Sequence, residues 1–375
     1  MKMKLRDKIL LYLFFALLIL PSVVWWFISP NLPFENMDNR QLKKMPVLNS
    51  ITMKQFPAGF EEYYADNLPF RAYGITLYSH ILYRLTGTVE SAKILFAKNG
   101  WLFYKSEIDG DPVGDYKRVN QFSIEQLEKI CKTLTDIQKY CKKRNCDFVF
   151  LIGPNKENIY TEYMPDCIIR TNYTPRTKQL INYLKANTDI KIIDPTAELV
   201  NAKKDNFVYY KNDTHWNDLG GYIASKLLLE KFGLKLPEIS ELQKEYYVKT
   251  GEEGRSGYDL SNMSGVKDLL HETNEIRISG YNNFNVEERP AILEGGIRKY
   301  CKDAPKKEKI MMIRDSFAGY MIPVVSTYYQ DSVYVIYYCF QKEMIDVERP
   351  NVFVFEVVER YFSTLIDNYD FEEKN

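Results

Sequence analysis

Three short runs set the fold more firmly than anything else in this chain. Phe148-Val149-Phe150-Leu151-Ile152, Ile310-Met311-Met312-Ile313 and Val352-Phe353-Val354-Phe355-Glu356-Val357 are apolar at nearly every position rather than at every second one. A strand with one face in water alternates apolar and polar side chains, so runs like these belong to strands covered on both faces, as in parallel sheets. Parallel neighbours need long crossovers, and the intervening sequence has helical spacing. Ser123-x-x-Gln126 is a capping-box signature, after which Ile124, Leu127, Ile130, Leu134 and Ile137 recur on one helix face. A helix from about Thr177 to Ala186 precedes an apolar strand at Ile190 to Ile193. Further helices are expected from Asn217 to Phe232, from Phe317 to about Tyr328 before a strand at Val333 to Tyr337, and from near Glu359. The alternation implies right-handed crossovers and a three-layer α/β domain whose mostly parallel sheet has about five strands.

The flanks are different. From Ile9 to Ile28 there is no charged residue, and twenty residues at helical rise match the hydrocarbon thickness of a bilayer. Lys2, Lys4, Arg6 and Lys8 precede the run and favour a cytoplasmic N-terminus, a bias that Arg40, Lys43 and Lys44 weaken from farther away. No small-x-small cleavage site follows, and Trp25 and Trp26 suit an interfacial anchor, so residues 1–30 read as an uncleaved signal anchor rather than a cleavable signal. Pro30 to Pro33 form a stiff exit. Phe56 to Thr86 has helical spacing interrupted at Asp66 to Arg71, so residues 31–91 read as a helical neck, with His80 as a half-buried structural residue. The α/β domain then covers 92–368, opening with a turn at Lys98-Asn99-Gly100 and an aromatic strand at Trp101 to Tyr104. The segment 237–302 breaks the rhythm, is rich in Gly, Ser, Asn and Glu, and reads as an inserted loop or small β-subdomain. The last residues, Glu-Glu-Lys-Asn, read as a frayed end.

Composition removes some function classes. Fifty basic residues balance fifty acidic ones, so no global field would attract nucleic acid. Six cysteines form no Cys-x-x-Cys pair and have no nearby histidine, which argues against a metal site built on them; disulfides and free thiols both remain open. The abundance of tyrosine and phenylalanine suits sugar-stacking surfaces and an aromatic core alike.

Chemistry concentrates in two short motifs, Asp213-Thr214-His215-Trp216 and Arg314-Asp315-Ser316-Phe317. The chain has three histidines, and only His215 has a carboxylate two residues away. His271 follows two leucines in the irregular segment and reads as a surface residue. Ser316 stands where a strand gives way to a helix, and open α/β sheets bind ligands beyond the carboxyl ends of their strands. Serine is a poor nucleophile until a base takes its proton. His215 can do so, with Asp213 fixing the tautomer, and amides near Ser316 or a polar side chain would form the oxyanion hole. The bland alternative is that Asp315-Ser316 merely caps a helix. No further histidine or carboxylate cluster completes a metal site on Asp213 and His215.

These motifs belong to a longer ordered set: Glu35-Asn36 with Asn39 to Leu42, Tyr63 to Arg71, Gly100 to Phe103, Gly153 to Tyr160, the two motifs above, and Val358-Glu359-Arg360. With this set the chain resembles the SGNH-hydrolase-like group that contains the alginate O-acetyltransferases and the proteins named for an Asp-His-His-Trp motif. Thr214 stands here at the first histidine of that motif, a position outside the triad. The resemblance implies an SGNH-like fold with the Asp-x-His pair ahead of the serine: Ser316 as nucleophile, His215 as general base and Asp213 as its orienter. It implies O-acetylation of an exopolysaccharide or cell-wall glycan outside the cytoplasmic membrane, beside a multi-pass membrane acyltransferase, with neither metal nor organic cofactor. Arg314, Tyr320, Lys156 and Tyr160 are substrate-contact candidates, with surface or scaffolding roles as the alternative for each. An esterase or deacetylase using the same triad, or a non-catalytic glycan-binding assembly protein, would share these residues.

Overall fold

The three apolar runs become the middle of one sheet. The computed structural model describes residues 4–28, 42–48, 53–68, 70–250, 258–279, 284–293 and 295–367. The side chains of Trp25 and Trp26, the marks at Glu35-Asn36 and Asn39 to Gln41, Pro69 and the C-terminal Glu-Glu-Lys-Asn lie outside the described residues. The chain divides into two compact units, one of residues 1–90 with 261–267 and one of 91–260 with 268–375.

The first unit is mainly helical among its described residues, with residues 42–48 irregular. Leu5–Ile28 forms one helix. Its stretch from Leu5 to Val24 is long and apolar enough to cross a membrane and is not buried against protein, a test that a signal sequence also passes. Helices Phe56–Asp66 and Arg71–Thr86 follow, broken where the sequence is interrupted. The second ends at Gly87, whose φ of 73° is the left-handed cap that glycine adopts without strain. His80 is half-buried.

The second unit holds eleven strands in chain order among the described residues. These are β1 Ile94–Phe96, β2 Leu102–Tyr104, β3 Asp147–Gly153, β4 Lys191–Ile193, β5 Gln243–Thr250, β6 His271–Ser279, β7 Glu287–Arg289, β8 Gly296–Tyr300, β9 Lys306–Arg314, β10 Tyr329–Ile336 and β11 Val352–Val358. Seven form the main sheet in the order β4-β3-β11-β9-β10-β8-β7. The first five run parallel and match the expected number, while β8 and β7 add an antiparallel edge, so the sheet is mixed. Those two strands, and the separate hairpin of β5 and β6, come from the irregular segment. His271 begins β6 and is exposed.

Both faces of the central strands are covered, as their composition requires. Phe355 of β11 sits between Phe150 of β3 and Ile313 of β9. Alternate residues then divide into two cores. Val149, Leu151, Ile310, Met312 and Val354 pack towards helix Asp218–Glu230 with Leu219, Ile223 and Leu228. Phe148, Phe150, Met311, Ile313, Phe353 and Phe355 pack on the other face with Leu127, Ile130, Leu134 and Ile137 of helix Ile124–Lys142, whose N-terminus carries the expected capping box at Ser123. All six cysteines are free, Cys141, Cys146 and Cys301 buried among them.

The stretch after Ser316 corrects an expectation. Instead of one helix to Tyr328 there is a single 3-10 turn, Phe317–Tyr320, and then helix Ile322–Tyr328. Pro323 explains the break: it lacks an N–H and is accepted in the first turn of a helix, not in its interior. The last strand likewise runs into a 3-10 turn, Glu359–Tyr361, before a short helix, Thr364–Asp367.

Candidate active site

The parallel strands β3, β9 and β11 end side by side, and three short segments leave them: Pro154-Asn155-Lys156, Asp315-Ser316-Phe317 and Glu359-Arg360. Ser316 is exposed at this edge. It occupies the N-cap position of the 3-10 turn, but its side chain makes no capping hydrogen bond. Asp315 takes that work instead: its Oδ1 accepts from Phe317 N (2.8 Å) and its Oδ2 from Val358 N of β11 (2.6 Å). Capping is therefore separated from Ser316, whose Oγ is 2.6 Å from His215 Nε2.

His215 reaches the serine from a hairpin turn outside the sheet. Tyr209 and Trp216 form an isolated antiparallel bridge, and Tyr210 N donates to His215 O. Asn217 caps the following helix by accepting from Leu219 N and Gly220 N. That helix packs close against both motif loops because Gly220 and Gly221 lack side chains. A Cβ on Gly220 would stand 2.4 Å from Val208 O, and one on Gly221 would stand 2.5 Å from Tyr320 Cβ. Trp216, fully buried, donates from Nε1 to Phe317 O (2.8 Å) and so ties the histidine loop to the serine loop.

Asp213 Oδ1 lies 2.5 Å from His215 Nδ1 and also accepts from His215 N (2.9 Å). The carboxylate thus holds both the backbone and the ring of the residue it serves. Burial opposes charge at both residues, but the attraction between them outweighs it, lowering Asp213 to about 2 and raising His215 above its ordinary value. A second acid stands behind the pair. Asp259 N donates to Asp213 Oδ2 (3.0 Å), while its carboxylate accepts from Thr214 N (2.8 Å) and Thr214 Oγ1 (2.5 Å). Burial, then repulsion from Asp213, push Asp259 up to about 6.

Asp259 corrects the expectation that no further carboxylate joins Asp213 and His215. The three offer ligand atoms within 4.8 Å of one another, a spacing that a cation can bridge. The hydrogen bonds already occupy these atoms: Asp213 Oδ1 faces two His215 donors, its Oδ2 faces Asp259 N, and Asp259 faces Thr214 and Leu260 N. A metal here would displace the contact that orients His215, so the arrangement suits proton transfer better than coordination.

Lys156 and Tyr160, candidates for substrate contact, lie beneath the histidine loop instead. Lys156 is 1% exposed and donates to the backbone oxygens of Tyr210, Lys211 and Asp213. Tyr160, equally buried, accepts from Val208 N through its hydroxyl and packs on Trp101 at 4.3 Å. Tyr320 and Arg314 are half-buried beside the serine. The Tyr320 ring centre is 6.1 Å from that of His215, and Arg314 Nη1 donates to Asp315 O.

The remaining marks are structural. Glu359 Oε2 accepts from Asn155 N (3.0 Å) and Asn158 Nδ2 (2.8 Å), joining the segments after β3 and β11. Arg360 is buried with its guanidinium 5.2 Å from the Phe317 ring centre. Glu356, fully buried on β11, accepts from Asp315 N (3.0 Å). Burial, then the adjacent Asp315 charge, push Glu356 well above its ordinary value, a shift that favours its neutral form. Sequence reasoning missed Glu356, Asp259 and Glu272, the last of which accepts from Lys211 N and Asn212 N in the histidine loop. A lone carboxylate inside an apolar run was a signal for Glu356, whereas the irregular segment gave none for the other two.

Known proteins resemble the chain in sequence and in fold. The family model described as "SGNH hydrolase-like domain, acetyltransferase AlgX" matches residues 94–291, ending before the strand that leads to Ser316. A probable alginate O-acetylase AlgJ of Pseudomonas aeruginosa is 23% identical over 230 residues, 60% of this chain and 54% of that one. The Azotobacter vinelandii protein of the same name is 24% identical over 254 residues, covering 66% and 58%. The chain thus spans about half the length of the curated relatives it matches. Among solved structures, Bacillus cereus PatB1 is 16% identical with a TM-score of 0.52, covering 72% of this chain and 96% of that one. A DHHW family protein from Eubacterium siraeum is 13% identical with a TM-score of 0.52, covering 75% and 94%. These structural likenesses show a shared fold. With its model matching a little over half of the sequence, the chain belongs to the family of SGNH hydrolase-like domains described by acetyltransferase AlgX.

Proposed function

We propose that this protein is a membrane-anchored O-acetyltransferase that carries an acetyl group on Ser316 and passes it to a hydroxyl of an extracytoplasmic polysaccharide. The observation that carries the reading is the continuous hydrogen-bonded line Asp213–His215–Ser316 at the carboxyl ends of the parallel strands. In the first half-reaction Ser316 Oγ attacks the acetyl carbonyl while His215 Nε2 takes its proton. The tetrahedral intermediate collapses, and His215 returns the proton to the departing group of the donor. In the second, His215 deprotonates a glycan hydroxyl, which attacks the Ser316 ester and frees the serine. Asp213 keeps the Nδ1–H in place and stabilises the imidazolium. The Ser316 N–H has no acceptor among the described residues and is one donor for the oxyanion.

Family membership supports acetyl transfer, and the relatives named alginate O-acetylase support a polysaccharide acceptor. The apolar helix Leu5–Ile28, with Lys4, Arg6 and Lys8 at its start, supports an anchor with a cytoplasmic N-terminus and a catalytic domain outside. In this reading residues 31–91 form a neck, 92–368 the acetyltransferase domain with its insertion at 237–302, and a multi-pass acyltransferase supplies the acetyl group. Tyr320 and Arg314 flank the acceptor. Exposure of Ser316 favours one second reading, an esterase, because water would reach the same acyl-enzyme.

Two measurements test the reading. A strain carrying Ser316→Ala should lose glycan O-acetylation while still producing the protein; unchanged acetylation would sink the assignment. Purified full chain in detergent, given a chromogenic acetyl ester with and without an oligosaccharide, should release the chromogen faster with the acceptor and acetylate it. Hydrolysis indifferent to the acceptor would make it an esterase.

A further inference from the structure

The histidine loop has its backbone dipoles sorted between one buried cation and several buried or half-buried acids. On the carbonyl side, Lys156 Nζ donates to Tyr210 O (3.3 Å), Lys211 O (3.3 Å) and Asp213 O (2.6 Å). On the amide side, Glu272 accepts from Lys211 N (3.0 Å) and Asn212 N (2.8 Å), Asp259 from Thr214 N, and Asp213 from His215 N. An ammonium group has three N–H donors and no lone pair, and here three carbonyl oxygens meet it. A neutral amine has two donors and a lone pair, which would face a carbonyl oxygen. Removing the proton therefore replaces a hydrogen bond with a repulsive contact in the loop that carries Asp213 and His215.

We propose that the Lys156 ammonium is the positioning group that holds His215 in line with Ser316, so that acyl transfer requires this lysine to be charged. This rests on the Ser316 acyl-enzyme reading and adds the device that sets its alkaline limit. Every side chain around Nζ bears on the charge. Glu157 on its own turn, Asp213 in the loop, Asp259 from the irregular segment and Glu272 of β6 favour it, as do the rings of Phe103 and Trp101, whose centres are 5.1 and 5.7 Å away. Burial opposes it and prevails, lowering Lys156 from 10.5 to about 8. Activity and stability then respond in opposite directions. Between about pH 8 and 10.5 the unfolded chain holds this proton and the folded chain does not, so this group makes the fold more stable as pH rises. This group therefore gives no reason for a loss of rate in that window to accompany unfolding.

The test is the rate at which a sulfonyl fluoride modifies Ser316 in the full chain in detergent, followed from pH 6 to 10 with the melting temperature at each pH. The wild-type rate should fall about tenfold per pH unit above about pH 8 without a matching fall in melting temperature. Lys156→Met, which removes the charge at similar volume, should be at least about tenfold slower at pH 7 and show no further alkaline loss. A wild-type rate flat to pH 10, or Lys156→Met labelling as fast as wild type, overturns the proposal. If the variant does not fold, the wild-type curve alone decides. Ser316 resisting the reagent at every pH would overturn the acyl-enzyme reading itself, whereas labelling without the alkaline fall removes only the role of Lys156.

Discussion

The two loops that meet at the site are built in opposite ways. The serine loop is three residues long and directly continues β9, and its supports lie on the adjacent strand: Asp315 accepts from Val358 N, and Glu356 from Asp315 N. The histidine loop belongs to no strand of the sheet. Its supports lie 45 to 61 residues away in sequence, at Lys156, Asp259 and Glu272, and all of them are ionisable. Strand topology places the nucleophile, and buried charge places the base. Removing charge without changing shape at Glu272 or Asp259 should therefore damage the histidine loop much more than the same change at Glu356 damages the serine loop.

The largest effect breaks both loops at their junction. Ser316→Ala should reduce acetyl transfer by at least about a thousand-fold, measured as acetylated oligosaccharide, because the covalent route is gone. Asp213→Asn keeps the shape but disturbs the tautomer and loses the charge that stabilises the imidazolium, and should cost about a thousand-fold in kcat. Charge removal at the supports comes next: Glu272→Gln and Asp259→Asn should each lower kcat about ten- to hundredfold with little change in acceptor KM. The matching change under the serine, Glu356→Gln, puts a neutral amide where burial already favours the neutral acid and should stay within about threefold of wild type. If Glu356→Gln proved as harmful as Glu272→Gln, the contrast between the loops would fail.

A pH profile sharpens the same contrast. His215 is raised above its ordinary value of 6.5 chiefly because Asp213 outweighs burial, so its charged form favours the fold, and that contribution is lost as pH rises through the folded value. Activity runs the other way, since only the neutral ring takes the serine proton. The rate should therefore fall with acid from a pH above 6.5, and Asp213→Asn should move that limb to lower pH.

The serine loop was the legible one. Near-continuous apolar runs located β3, β9 and β11, and the rule that ligands gather beyond parallel strand ends located Ser316. His215 was legible for a different reason, the scarcity of histidine with a carboxylate two residues ahead. Its supports were hidden. Asp259 and Glu272 fall in a segment without periodicity, and nothing in a linear sequence records that their carboxylates turn back to meet amides 45 and 61 residues earlier. Lys156 was visible as part of a motif, but its burial was not, because a lysine next to a glutamate reads equally well as surface. The antiparallel edge of β7 and β8 was missed for the same want of pattern. The break after Ser316 was written in Pro323, which an uninterrupted apolar face obscured.

The most direct measurement is the position of the acetyl group on the protein itself. Full-length protein in detergent, exposed briefly to an acetyl ester, quenched in acid and digested, should carry acetyl on the peptide containing Ser316. Adding an oligosaccharide acceptor should discharge it, and His215→Gln should slow its formation. Glycan acetylation by a Ser316→Ala protein, or transfer without any acetyl on Ser316, would contradict the account.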